Sequence, residues 1–250
     1  MRLAIVAVLA ATGCGRFGFG EDPARDGAAM DVIVDASDAG DALQACPANA
    51  IVCDDFEDGT TAAWTGTTVS ETSVTINVST VRAHAGMYAL DASVPAIADG
   101  NYATVYLDIP LQTTGVLATR QWIYAQGMFT RFDEVVGLFH TGVSNQYMVL
   151  GCDDLEHWAA TERSTASGIV DHLTTVPCAP DVWYCVELVY SFDTKRVQVF
   201  VDNAALLDVA VADPMPAFDD IGLGAVRADA AGFRVFTDDV VIAPQRIGCQ

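Results

Sequence analysis

"YATVYLDI", residues 102–109, places Ala103, Val105, Leu107 and Ile109 on one side of an extended chain and Tyr102, Thr104 and Tyr106 on the other. Side chains alternate faces with a period of two only in a β-strand, so this stretch reads as a strand with one face buried. The pattern spreads outward. "SVTINVS" (73–79) sets Val74, Ile76 and Val78 against polar residues, and "MYALDASV" (87–94) alternates Tyr88, Leu90, Ala92 and Val94. "VWYCVELVYSF" (182–192) and "RVQVFVDN" (196–203) form a hairpin through Asp193-Thr194-Lys195. A second tight turn at Asp202-Asn203 leads into "AALLDVAV" (204–211), because Asn tolerates the left-handed conformation such turns need. "GFRVFTDDVVIA" (232–243) closes the series. About a dozen strands at short spacing, with no amphipathic helix, predict an all-β fold, an antiparallel β-sandwich or barrel. No fixed-period repeat is visible, which argues against a propeller or solenoid.

The order of motifs adds to the alternation. "CDDFEDGTTAAWTG" (53–66), "RAHAGMYALDA" (82–92), "WYCVELVYSFDTKRVQVFVDN" (183–203) and "FRVFTDDVVIAPQRIG" (233–248) resemble, in that order, segments of the concanavalin A-like jelly rolls, the lectin, LamG and glucanase superfamily. The resemblance covers residues 50–248 and implies a jelly-roll β-sandwich. It also implies a structural calcium joining the start of the domain to its last strand. The side-chain ligand then falls on Asp239, with Asp238 as the alternative in register, and the backbone oxygens fall near Glu57 and Gly86. Alternation predicts that only one of the two aspartates faces that site. The plainer reading of these acids is solvated strand ends that guard sheet edges.

Glucanases of this superfamily carry E-x-D-x-x-E or E-x-D-x-E on one strand, which sets nucleophile and general acid on one face. The nearest stretch here is "GCDDLEHW" (151–158), where Asp154 and Glu156 share a face but Asp153 and its neighbours do not complete the motif. It reads as an acidic turn beside a half-buried Trp158. His84, His140 and His172 show no metal-ligand spacing, and no serine sits in a G-x-S-x-G elbow. Catalytic residues are therefore not assigned. A glycan-active enzyme of the same fold, a β-glucanase or lyase, stays as an alternative. So does a structural envelope protein that binds another protein. The preferred reading is a non-catalytic carbohydrate-binding or adhesion module. Sugars are held by aromatic faces, and Tyr102, Tyr106, Trp122, Tyr124, Tyr147 and Trp158 are available. Trp122 and Tyr124 in "QWIYAQGMF" (121–129), together with Trp158, are the chosen candidates, against the plainer reading that strand aromatics pack.

The address lies at the N-terminus. Arg2 and an apolar run from Leu3 to Ala11 lead into Ala11-Thr12-Gly13-Cys14, which resembles a bacterial lipobox. Residues 1–13 are thus expected to be a lipoprotein signal peptide and Cys14 the lipidated residue. Gly15 after the cysteine, rather than aspartate, fits the outer membrane or cell surface. Residues 14–45, with aspartates spaced among Ala and Gly, read as lipid anchor and disordered acidic linker, leaving one domain at 46–250. The formal net charge is −21, with Lys195 the only lysine. Nucleic acid is excluded as a partner, because its phosphates would be repelled, and the membrane is reached only through the anchor. The remaining partners are a glycan or an envelope protein. With Cys14 set apart, Cys46, Cys53, Cys152, Cys178, Cys185 and Cys249 make three disulfides plausible in an exported protein. Pairing of the first and last strands, implied by the resemblance, would bring Cys46 or Cys53 to Cys249, with Cys152, Cys178 and Cys185 partners within the sheet-and-loop region and one cross-link between the two groups. The local alternative is Cys46–Cys53 and Cys178–Cys185, leaving Cys152–Cys249.

Overall fold

A computed structural model describes residues 46–96, 100–127, 133–143, 146–165, 167–211, 217–228 and 232–249. The expectations for the signal peptide, Cys14 and the linker lie outside the described residues. The described chain contains fifteen strands: β1 Val52–Asp54, β2 Gly66–Val69, β3 Thr75–Ser79, β4 Ala89–Val94, β5 Asn101–Gln112, β6 Val116–Gln126, β7 Asp133–Phe139, β8 Tyr147–Cys152, β9 His157–Ser164, β10 Gly168–Pro177, β11 Trp183–Ser191, β12 Arg196–Val201, β13 Ala204–Ala210, β14 Phe218–Ala228 and β15 Phe233–Ala243. Among the described residues there is no helix. The strands pair antiparallel into two sheets. One runs β13-β12-β11-β6-β15-β4-β3 with β1 added beside β15, and the other runs β10-β9-β8-β7-β14-β5-β2.

The two sheets face each other across one apolar core, and the alternation of each strand decides which residues enter it. Ala103, Val105, Leu107 and Ile109 of β5 meet Ile221, Leu223 and Ala225 of β14, while Leu117 and Ile123 of β6 and Val186, Leu188 and Tyr190 of β11 enter from the opposite sheet. Tyr190, Phe192 and Phe218 form a cluster of ring contacts at one end, with centroids 4.8–5.7 Å apart. The β12–β13 turn takes positive φ at both Asp202 (49°) and Asn203 (66°), the backbone that a two-residue hairpin turn demands. Asp202 Oδ1 accepts the Cys185 amide at 3.0 Å, which locks that turn to β11.

The disulfides are Cys46–Cys53, Cys152–Cys178 and Cys185–Cys249. The first is the expected local pair. Cys152–Cys178 is a pair within the expected Cys152, Cys178 and Cys185 region and Cys185–Cys249 is the one cross-link, but Cys249 does not pair with Cys46 or Cys53, because the C-terminal segment crosses the outer face of β11. There the fully buried Glu187 accepts from Arg246 Nε at 3.0 Å and from the amides of Ile247 and Gly248, which delivers Cys249 to Cys185.

Candidate functional site

Residues of β2, β5, β14 and β7 build a groove on the outer face of the seven-stranded sheet. Its volume is about 480 Å³, and it is lined by Thr67, Thr68, Tyr102, Thr104, Tyr106, Phe139, Asp220, Gly222 and Val226. Strand register explains the shape. One row across the sheet reads Gly66, Tyr106, Gly222, Gly137, Val149, so glycine stands at three of five outward positions. The next row reads Asp108, Asp220, Phe139, Tyr147, Arg163.

The glycines leave notches into which aromatic rings lean. A Cβ at Gly222 would lie 3.1 Å from Phe139 Cε2, and one at Gly137 would overlap the Phe139 ring. A Cβ at Gly66 would lie 2.8 Å from the Tyr106 hydroxyl. Missing side chains thus let Phe139 and Tyr106 lie along the sheet instead of standing off it. Phe139 continues into Tyr147 with centroids 6.2 Å apart, and the Arg163 guanidinium caps the row at 5.9 Å from the Tyr147 ring. Threonine hydroxyls and the tyrosine hydroxyls form the rim. A half-buried aromatic floor with a few convergent polar groups is the usual make-up of a small-ligand site.

Asp220 is the polar group that stands out. Its Oδ1 is buried without a hydrogen-bond partner. Burial, and then the neighbouring charges of Asp108 and Asp219, push its carboxyl up to about 6. Asp219 is already engaged, accepting the Thr141 amide at 2.7 Å and the Thr141 hydroxyl at 3.0 Å.

The three chosen sugar-binding candidates lie elsewhere. Trp158 is fully buried in the core, with Tyr184 packed edge-on at 5.5 Å, so neither face of its ring is open to a ligand. It belongs to β9 and points inward by the same alternation that sends Thr161 outward. Trp122 and Tyr124 do share the outer face of the eight-stranded sheet, but both are roofed. The His84 ring stacks on Trp122 at 3.8 Å and 10°, and the Arg82 guanidinium sits 4.0 Å above Tyr124, whose hydroxyl donates to Asp181 at 3.0 Å. The signal for the groove was present in Tyr102, Tyr106 and Tyr147. Phe139 was missed because "VVGLF" (135–139) reads as one apolar run.

The residues expected to hold calcium make two separate sets of contacts with the 84–88 loop. Glu57 Oε1 accepts the amides of Met87 and Tyr88 at 2.8 Å each, and Gly86, at φ 64°, passes so close to that carboxylate that a side chain there would collide with it. Asp238 Oδ2 accepts the His84 amide at 2.8 Å, and Asp239 Oδ2 meets His84 Nδ1 at 2.9 Å. The expectation that only one aspartate faces the site is corrected. Asp239 adopts φ 49° at a register shift in β15, which turns Val240 into the core and leaves both carboxylates on the outer side. Among the described residues no three His, Cys, Asp or Glu side chains gather in a metal-holding group. Beside these two adjacent, largely buried carboxylates stand His84 and the buried Arg120 guanidinium, whose charge acts on Asp239. Carboxylate and backbone oxygens are the donors a hard cation takes. "GCDDLEHW" is the β8–β9 turn, in which Asp153 Oδ1 accepts the amides of Leu155 and His157 at 2.8 and 2.9 Å.

No protein-family model matches this sequence, and no curated protein sequence does. Solved structures do match. The cellulose-induced protein Cip1 superposes with TM-score 0.62 at 16% identity, over 80% of this chain and all of its own. The endo-β-1,4-glucuronan lyase of the fungus Trichoderma reesei does so with TM-score 0.58 at 11% identity, over 79% of this chain and all of its own. Domain 4 of AbnA, a GH43 extracellular arabinanase from Geobacillus stearothermophilus, in complex with arabinotriose, gives TM-score 0.55 at 16% identity, over 78% of this chain and 92% of its own. At such identities the likeness is one of fold, an antiparallel β-sandwich shared with carbohydrate-related proteins.

Proposed function

We propose that this domain binds a glycan, without cleaving it, in the groove on the outer face of the seven-stranded sheet. The observation that carries this reading is the Phe139 ring leaning into the notches of Gly137 and Gly222, between Tyr106 and Tyr147. Such a floor buries the apolar faces of sugar rings, each worth about 25 cal/mol per Å² removed from water, while the hydroxyl rim takes their polar edges. The arabinanase domain solved with arabinotriose and the glucuronan lyase, both similar in fold, lend support to a glycan ligand. So does the missing glucanase motif, for binding rather than cleavage. Full-chain protein on a glycan array should show binding that free oligosaccharide competes away, with no new reducing ends or unsaturated products released from the bound glycan. An array blank across plant, fungal and bacterial glycans would refute the reading. Product release would move it to the enzymatic alternative.

Structural calcium is a second proposal, supported by the oxygen-rich meeting of Asp238 and Asp239 with the 84–88 loop. Asp239 and backbone oxygens near Glu57 and Gly86 would hold the ion. Calcium at 100 times its Kd should stabilise the protein by about 2.7 kcal/mol over the chelated form. Asp239→Asn should remove that difference, and identical unfolding with and without chelator would exclude the ion.

A further inference from the structure

We infer that the groove selects glycans bearing free amino groups and that Asp220 is its specificity-determining residue. This rests on the glycan-binding reading above. Asp220 closes one end of the aromatic floor, next to Phe139 in register and directly across from Asp108 on β5. Its Oδ1 is buried without a partner. Asp219, the other acid beside it, is committed to Thr141. The first basic side chain along the row is Arg163, three strands from Asp220, or about 14 Å at the usual strand spacing.

A carboxylate drawn out of water at the edge of an apolar floor is costly until a donor meets it. A sugar ring lying on Phe139 brings its substituents to the Asp220 carboxylate, which lines the groove. A hydroxyl supplies one neutral donor. A protonated hexosamine supplies three donors and a charge, and charge-assisted bonds are roughly twice as strong as neutral ones. That ammonium also lies between Asp220 and Asp108 and offsets both. A uronate at the same place would add a third negative charge, and like charges so close are mutually destabilising. The groove should therefore disfavour a polyuronate, unlike the glucuronan lyase that this chain resembles in fold.

The test is calorimetric titration of the full chain at pH 6.5 and 0.15 M salt with four hexasaccharides: β-1,4-glucosamine, its N-acetylated form, cellohexaose and oligoglucuronate. The glucosamine hexamer should bind at least about tenfold tighter than cellohexaose, and oligoglucuronate should be weakest. Asp220→Asn should erase the preference, so that the glucosamine hexamer and cellohexaose bind the variant within about twofold of each other. A tenfold preference that survives Asp220→Asn overturns the assignment, as does oligoglucuronate binding equal to that of the glucosamine hexamer. An acidic chain also attracts cationic oligomers without a site, so Phe139→Ala is the control. A glucosamine preference that persists without Phe139 marks bulk attraction and overturns the inference. If none of the four binds and the glycan array is blank, the glycan reading itself falls. Binding without amino preference removes only the inference.

Discussion

Replacing Trp158 with alanine should lower the free energy of unfolding by about 3–5 kcal/mol. For a domain of this size that is a fall in Tm on the order of 10 °C. The indole is fully buried on β9, opposite Cys152 of β8, and packs edge-on against Tyr184. Deleting it removes a large apolar surface and leaves a cavity between two sheets that cannot both collapse inward, since each is held by its own ladder of backbone bonds. The Cys152–Cys178 bridge lies alongside and restrains that collapse further. Glycan affinity, measured well below the variant's Tm, should not change, because the groove lies on the other face of the same sheet. Chemical denaturation and titration on one preparation separate the two quantities. Intact stability with lost binding would return Trp158 to the ligand site.

The same residue shows where sequence reading succeeds and fails. In "YATVYLDI" polar and apolar residues differ enough for a period of two to be seen directly, and the buried and outward sets both came out as the structure has them. Trp158 follows an acidic turn, and nothing local says whether its strand starts inward or outward; that phase is set by the turn. In Asp153–His157, Glu156 takes φ 59° to close the hairpin, and the phase of β9 follows from it. Asp239 makes the same point on β15. Its left-handed backbone adds a residue to the strand and shifts the alternation, yet such positions are usually glycine, so an aspartate gives no warning. The Cys46–Cys53 loop was legible because its partners are seven residues apart. Cys185–Cys249 was not, since it depends on the route of the C-terminal segment over β11. The groove was half legible. Tyr102, Tyr106 and Tyr147 could be named, whereas Gly137 and Gly222 become neighbours only through the pairing of β7 with β14.

Those two glycines supply the most specific test of the groove. Gly137→Ala should weaken glycan binding at least about tenfold, about 1.4 kcal/mol, without lowering stability. The added methyl would overlap the far edge of the Phe139 ring, with Val149 Cγ1 only 3.2 Å away on the other side. Neither Gly137 nor Gly222 needs a positive φ, so alanine fits the backbone at both. The ring is the end of a free side chain and can swing outward, which stands it up in the groove and removes the floor. Alanine in a strand interior otherwise gains about 0.5–1 kcal/mol over glycine, so Tm should hold or rise slightly as affinity falls. Gly222→Ala brings its methyl to 3.1 Å from the same ring, a contact relieved by a few tenths of an ångström, and should cost less affinity than Gly137→Ala. Phe139→Ala, with no ring left to bury a sugar face, should cost at least as much as Gly137→Ala. Opposite signs for stability and binding, with affinity losses graded from Gly222 to Gly137 to Phe139, are what a ring held down by missing side chains predicts. If Gly137→Ala binds as the parent does, the floor of the site is not Phe139.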